Sequence, residues 1–184
     1  MAKRKSGASQ NRCPPLIHWS KDPLFEVHSC AQINPKDKSY YSCFIKPQGL
    51  WVSIDRGGEG WAQWCRKENF RVADLRYRNA ITVRNPRALL CLHTPRALDA
   101  LTEEYGIDDP SFSSSPPSFR NWTRAINWHA VAEKYPGIII PSYIGRRRLS
   151  LSWYYGWDCA SGCIWDASQI IAIKRRRSRY GINT

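Results

Sequence analysis

Apolar and polar positions along the chain change period every ten residues or so, and each change marks an element. Leu24 to Ala31 (LFEVHSCA) alternates with period two, which predicts a strand carrying His28 and Ser29 near its end. Leu50 to Ile54 predicts a second strand, and Trp61 to Phe70 (WAQWCRKENF) sets Trp61, Trp64 and Cys65 on one helical face. Leu75 to Val83 alternates again, the turn Asn85-Pro86 follows, and Ala88 to His93 (ALLCLH) predicts a buried strand. Thr94 and Pro95 open a helix that runs through Leu98, Leu101 and Tyr105 to Gly106. A further helix from about Asn127 aligns Trp128, Val131, Ala132 and Tyr135 and ends at Pro136-Gly137. Ile138 to Ile140 predicts a buried strand, Ile144 to Leu149 a basic loop, and Ile170 to Ile173 the last strand. Strands dominate and short helices separate them. The expected fold is α+β, with a mixed, mostly antiparallel sheet.

Polar segments supply the boundaries. Residues 1–15 form a basic arm ended by Cys13-Pro14-Pro15, residues 16–173 one globular domain, and residues 174–184 a basic C-terminal tail. Asp108 to Ser118 (DDPSFSSSPPS) is a proline-broken loop. In 184 residues the hydrophobic fraction is 42%, with nine tryptophans, enough apolar surface for a core without staples.

Charge adds a partner. Lys and Arg number 28 against 15 acids, a formal net charge of +13, and much of the excess sits in Arg146-Arg147-Arg148 and Lys174-Arg175-Arg176-Arg177. Such clusters fit a polyanion, because each neutralised phosphate releases counterions; solvated tails with no ligand are the alternative. With the aromatics they support a nucleic-acid-binding protein that stacks on unpaired bases, without any catalytic residue.

The seven cysteines are irregularly spaced, form no CxxC pair and offer no second pair to Cys159 and Cys163, so no metal site is expected. With no secretory signal and no apolar run of membrane-spanning length, reduced thiols in an intracellular compartment, cytoplasmic or nuclear, and no membrane partner are the expectation.

The richest stretch is Ser152 to Ile173 (SWYYGWDCASGCIWDASQIIAI), with five aromatics, two carboxylates and two thiols around the small-residue turn Ala160-Ser161-Gly162. It reads either as a partly polar pocket beside Asp158 and Ser161 or as a buried strand pair filled with rings. Ser161-Gly162 lacks the flanks of a nucleophile elbow, and no His-Asp relay converges on it. The glycine loop Asp55 to Gly60 reads as a flexible turn, since no phosphate-binding pattern accompanies it.

Val27-His28-Ser29, Gly49-Leu50-Trp51 with Ser53, and the late turn feeding CIWD-SQIIAI together resemble the three-part layout of ADP-ribosyltransferase-like proteins. WxxWC (Trp61 to Cys65) and YGWDC (Tyr155 to Cys159) are similar to segments of uncharacterised phage and bacterial proteins of that layout. The resemblance covers roughly Phe25 to Ile173 and implies a split sheet holding NAD in a cleft. It implies that His28, with Ser29 beside it, bonds the adenosine-side ribose, while Trp51 and Ser53 contact nicotinamide and its ribose. The third motif of the family carries a glutamate where this chain has Ala160 or Ser161, and the nearest carboxylate is Asp158. Cleaving a glycosidic bond requires a carboxylate beside the developing positive charge and an aromatic to hold the leaving ring, roles open to Asp158, Trp51 and Trp157. Joined to the basic ends, this implies transfer of ADP-ribose to a nucleic acid.

Overall fold

The computed structural model describes residues 14–35, 46–108, 116 and 122–181. Residues 1–13 of the expected arm and most of the Pro/Ser loop lie outside them.

Among the described residues nine strands form: β1 (Leu16–Ser20), β2 (Leu50–Ser53), β3 (Tyr77–Val83), β4 (Leu90–Cys91), β5 (Gly106–Asp108), β6 (Arg124–Ile126), β7 (Gly137–Ile140), β8 (Ser161–Ile164) and β9 (Ile170–Arg177). Seven of them make one sheet in the order β4-β7-β8-β2-β1-β3-β9, and β5 and β6 pair separately. Only β4 with β7 is parallel; the other pairs are antiparallel. The helices are α1 (Trp61–Lys67), α2 (Pro95–Tyr105), α3 (Trp128–Lys134), α4 (Gly145–Arg148) and α5 (Ser152–Tyr155). This is the α+β, mostly antiparallel architecture expected from the chain.

Local chemistry explains most boundaries. Thr94 accepts the Ala97 amide at 3.2 Å with Pro95 at the first helical position, and Asn127 accepts that of Ala130 at 3.1 Å. Each side chain satisfies a donor that the helix start leaves unpaired.

Register assigns the two faces. Leu50, Val52, Ile139 and Ile164 fall on one face with Leu16 and Ile81, and they form one core with Leu24 and Val27 packed over it. Trp51, Ile138, Ile140 and Cys163 fall on the other face, where Leu98, Leu101, Val131 and Trp153 bury them under α2, α3 and α5. A third, smaller cluster on Ala62, Cys65 and Leu75 sits beneath Trp19, Trp61 and Trp64.

Several expectations are corrected. Leu24 to Ala31 forms no strand. Leu24 and Val27 pack over the sheet three residues apart, not two, and the backbone meets the fold through Cys30, whose amide donates to the Trp165 carbonyl at 2.9 Å. The first strand lies earlier, at Leu16–Ser20, directly after the prolines. Ile144 to Leu149 contains a helical turn rather than a loop. Ala160-Ser161-Gly162 is no turn: Ser161 and Gly162 belong to β8 in mid-sheet, and a Cβ on Gly162 would run into the Ile138 carbonyl. The last strand continues past Ile173 to Arg177, so Lys174 to Arg177 are sheet residues and not a tail.

Candidate functional site

β1 and β2 pair at one position, Ile17 with Ser53. Next to this pair a cavity of about 670 Å³ opens, lined by residues 17–22 of β1 and its turn, Trp51 to Ser53 of β2, Trp61, Arg71, Asp74, Lys46 and Gly156 to Cys159. Four tryptophans, Trp19, Trp51, Trp61 and Trp157, stand in its walls. The seven-stranded sheet runs on continuously through β2 and β1, but these two strands part after a single pair, a local split beside which the cavity lies.

His18 spans the split. Its Nδ1 lies 2.8 Å from the Trp51 carbonyl, a side-chain bond where the ladder would have continued. A carbonyl only accepts, so Nδ1 carries the proton and Nε2 keeps its lone pair in the neutral ring. Nε2 has no partner among the described residues. Burial lowers the His18 pKa below its ordinary value, and the bond to Trp51 opposes this more weakly. The imidazole is therefore a neutral acceptor at neutral pH.

Fully buried Asn79 holds β1 in this position, donating through Nδ2 to the His18 carbonyl and the Ser20 hydroxyl, both at 3.0 Å. On the facing strand Ser53 donates to Asp55 and accepts the Trp61 amide at 2.7 Å, while Trp19 Nε1 donates to Asp55 at 3.0 Å. Gly60 is required there: an added Cβ would meet the Asp55 carboxylate and come within 2.9 Å of Ser53 Oγ. The glycine loop is a turn that seats Asp55.

The opposite wall is ionic. Asp158 pairs with Arg148 at 2.9 Å, and Arg148 also donates to the Tyr155 carbonyl at 2.9 Å and lies 4.8 Å over that ring. Lys46 donates to the Gly156 carbonyl and stands 5.2 Å over Trp51. Lost water lowers the Lys46 pKa, against the raising pull of Asp158 and Cys159. Trp51 meets Trp157 edge-on at 4.9 Å. The indole nitrogen of Trp157 is buried with no partner among the described residues, which costs about 1–3 kcal/mol. Arg71 reaches the cavity from a left-handed backbone (φ 48°), a strained conformation for a long side chain, with its guanidinium on Asp74 at 2.6 Å.

Of the residues chosen from sequence, Trp51, Ser53, Trp157, Asp158 and Ser161 share this cavity. Ser161 contributes little chemistry, because its hydroxyl donates to the Cys159 carbonyl at 3.0 Å and it is buried. His28 and Ser29 do not belong to the cavity: the His28 side chain is 80% exposed beside Glu26, and Ser29 accepts the Ala167 amide at 2.9 Å. The sequence reading missed His18, Asn79, Lys46 and Asp55. The signal for His18 was Leu16-Ile17-His18-Trp19, an apolar pair leading into a polar-aromatic pair, set directly after two prolines.

Among the basic residues, Arg147 is committed to Asp99 and Arg148 to Asp158, which leaves Arg146 exposed. Lys174 to Arg177 are all exposed on β9. Among the described residues, no cluster of three or more His, Cys, Asp or Glu side chains is placed to hold a metal, and no helix is long and apolar enough to cross a membrane. Comparison with protein-family models, with curated proteins and with solved structures finds no match.

Proposed function

We propose that this chain is an ADP-ribosyltransferase-like protein that binds NAD in the cleft between β1 and β2. The observation that carries the reading is the split itself, which brings a neutral histidine acceptor, an aromatic wall and a carboxylate to one cavity of about 670 Å³. Such a cavity suits a dinucleotide: flat rings meet tryptophan faces, and the diphosphate meets Lys46, Lys21 and Arg71. His18 takes the role that the family resemblance gave to His28. Its Nε2 accepts a ribose hydroxyl, and Ser20 stands two residues on along the same strand.

In the reaction, the bond between ribose C1′ and the nicotinamide nitrogen breaks and nicotinamide leaves with the electron pair. An acceptor oxygen bonds to C1′ and releases its proton to water. Asp158, the carboxylate beside Trp157 and Trp51, stabilises the cationic sugar. Family glutamate chemistry is not open to Ala160 or Ser161, the one buried without a polar side chain and the other committed to a carbonyl. A second reading, binding without turnover, is favoured by one contact: Arg148 already compensates the Asp158 charge.

Titration calorimetry with NAD, followed by measurement of nicotinamide release, tests both readings. NAD binds the wild type, His18→Ala weakens it about tenfold, and Asp158→Asn slows release by about 10²- to 10³-fold while NAD still binds. Binding with no release in the wild type selects the second reading. Absence of binding, or unchanged affinity in His18→Ala, overturns the assignment to this cleft.

A further inference from the structure

Beyond the cleft, β3 and β9 carry a track of cations that leads to β1, with no acids on any of the three strands. The sequences LIHWS, YRNAITV and IIAIKRRR contain no Asp or Glu. Register sets Trp19 opposite Arg78 and Arg78 opposite Arg176, so one row runs from the cleft wall to the edge strand. At about 4.8 Å per strand, Arg176 stands about 10 Å from Trp19. Lys174 projects from the same face two residues along.

Arg78 directly opposite Arg176 is a like-charge pair, which destabilises a sheet. Neither of them, nor Lys174, has an acidic partner among the described residues. One charge on an edge strand is enough to discourage edge-to-edge pairing. Four consecutive cations, one of them facing another arginine, exceed that need and are relieved by a polyanion. Rings accompany the charge: Tyr180, 45% exposed, lies 6.0 Å from Trp19 with Arg66 4.3 Å over its face.

We infer that the β3–β9 edge binds single-stranded nucleic acid, with phosphates along Arg78, Lys174 and Arg176 and an unpaired base directed towards Tyr180 and Trp19 at the cleft. Exposed rings serve unpaired bases, which stack on them as paired bases cannot. Duplex DNA is read in its major groove by a helix or a two-stranded ribbon, and the arginine-bearing α4 is a single turn. The site does not depend on the NAD reading. If that reading holds, the track leads the acceptor strand to the cleft.

The test is fluorescence anisotropy of a labelled 15-nucleotide single strand, against a duplex of the same length, across a salt series. The single strand binds at least tenfold more tightly than the duplex, and log affinity falls linearly with log salt. Replacing both Lys174 and Arg176 with Ser weakens binding about tenfold and makes the slope shallower by about 1.4, at roughly 0.7 per phosphate contact. The same variant keeps wild-type NAD titration, and His18→Ala keeps wild-type strand binding, so failure of either site is read separately. Equal affinity for duplex and single strand, or an unchanged slope in the Lys174/Arg176 variant, overturns the inference.

Discussion

Two tryptophan clusters on the same face of one sheet have opposite fates. Around β7 and β8, Trp128 and Trp153 are sealed to 1% exposure or less and lie away from the cavity. Around β1 and α1, Trp19, Trp61 and Trp64 are only half-buried, and Trp19 and Trp61 border a cavity. The residue type is shared; the covering differs. Over the first cluster α2, α3 and α5 lay Leu98, Leu101, Val131 and Tyr154. Over the second lies α1, seven residues long, with a small base of Ala62, Cys65 and Leu75.

Polar handles follow the same division. Trp153 Nε1 donates to Thr102 at 2.8 Å and Trp165 Nε1 to the Tyr135 carbonyl at 2.6 Å, inside the dense half. Trp19 Nε1 instead donates to a carboxylate at the cleft, Asp55, which also takes the Ser53 hydroxyl. Rings in the closed half fill volume. Rings in the open half are held at fixed angles with faces left over, as Trp61 and Trp64 show by stacking at 5.1 Å while remaining half-buried.

Removing a ring from each half gives the largest contrast. Trp153→Ala lowers unfolding free energy by about 3–5 kcal/mol through lost burial and a cavity, whereas Trp61→Ala costs about 1 kcal/mol; urea melts measure both. Equal losses would erase the division between a structural and a ligand-facing cluster.

Thiol chemistry sharpens it next. Burial pushes the Cys159 thiol up to about 12 and the Cys163 thiol higher still, while Cys65 under the open cluster is pushed up to about 11. Thiolate is the nucleophile, and each unit of pKa is a tenfold loss of it. At pH 8, Cys65 is alkylated about 100-fold more slowly than an ordinary thiol, and Cys159 and Cys163 more slowly again. Half-buried Cys30 and Cys91 react ahead of them. Peptide mass spectrometry over a time course gives the order, and early labelling of Cys163 would mean that the dense half opens readily.

The smallest effect is a pH dependence at the cleft. Since burial lowers the His18 pKa, the unfolded chain takes up that proton first as pH falls. The His18 contribution to stability is complete above the ordinary value near 6.5 and declines below it, until the folded-state pKa is passed. NMR titration of the four histidines finds the His18 midpoint below 6.5, and NAD affinity falls in the same range as Nε2 turns from acceptor to donor. A His18 midpoint above 6.5 would remove the acceptor from the cleft.

The fold class was legible in the chain because its signals are local. Thr94-Pro95 and Asn127 start helices wherever they stand, and Ile138 to Ile140 buries whatever the neighbouring strand. The strand at Leu24 to Ala31 misled because its apolar and β-branched residues fit a strand in type, while the segment covers the sheet without pairing and buries every third residue, Leu24, Val27 and Cys30, not every second. The site was legible in part: Trp157 and Asp158 stood out by composition, Trp51 and Ser53 came in through the family resemblance, and the four share a cavity.

By itself, then, the sequence determined the α+β class, most helices and buried strands and the basic run Lys174 to Arg177, since propensity, period and charge are properties of neighbours along the chain; that this run is strand and not tail came from its pairing with β3. Tertiary structure decided which histidine counts. His28 and His18 look alike in sequence, but pairing 33 positions away with Trp51, and with Asn79 across β1 and β3, puts His18 in the cleft and leaves His28 in water. The split between β1 and β2 arises the same way, from a register that only the folded sheet sets.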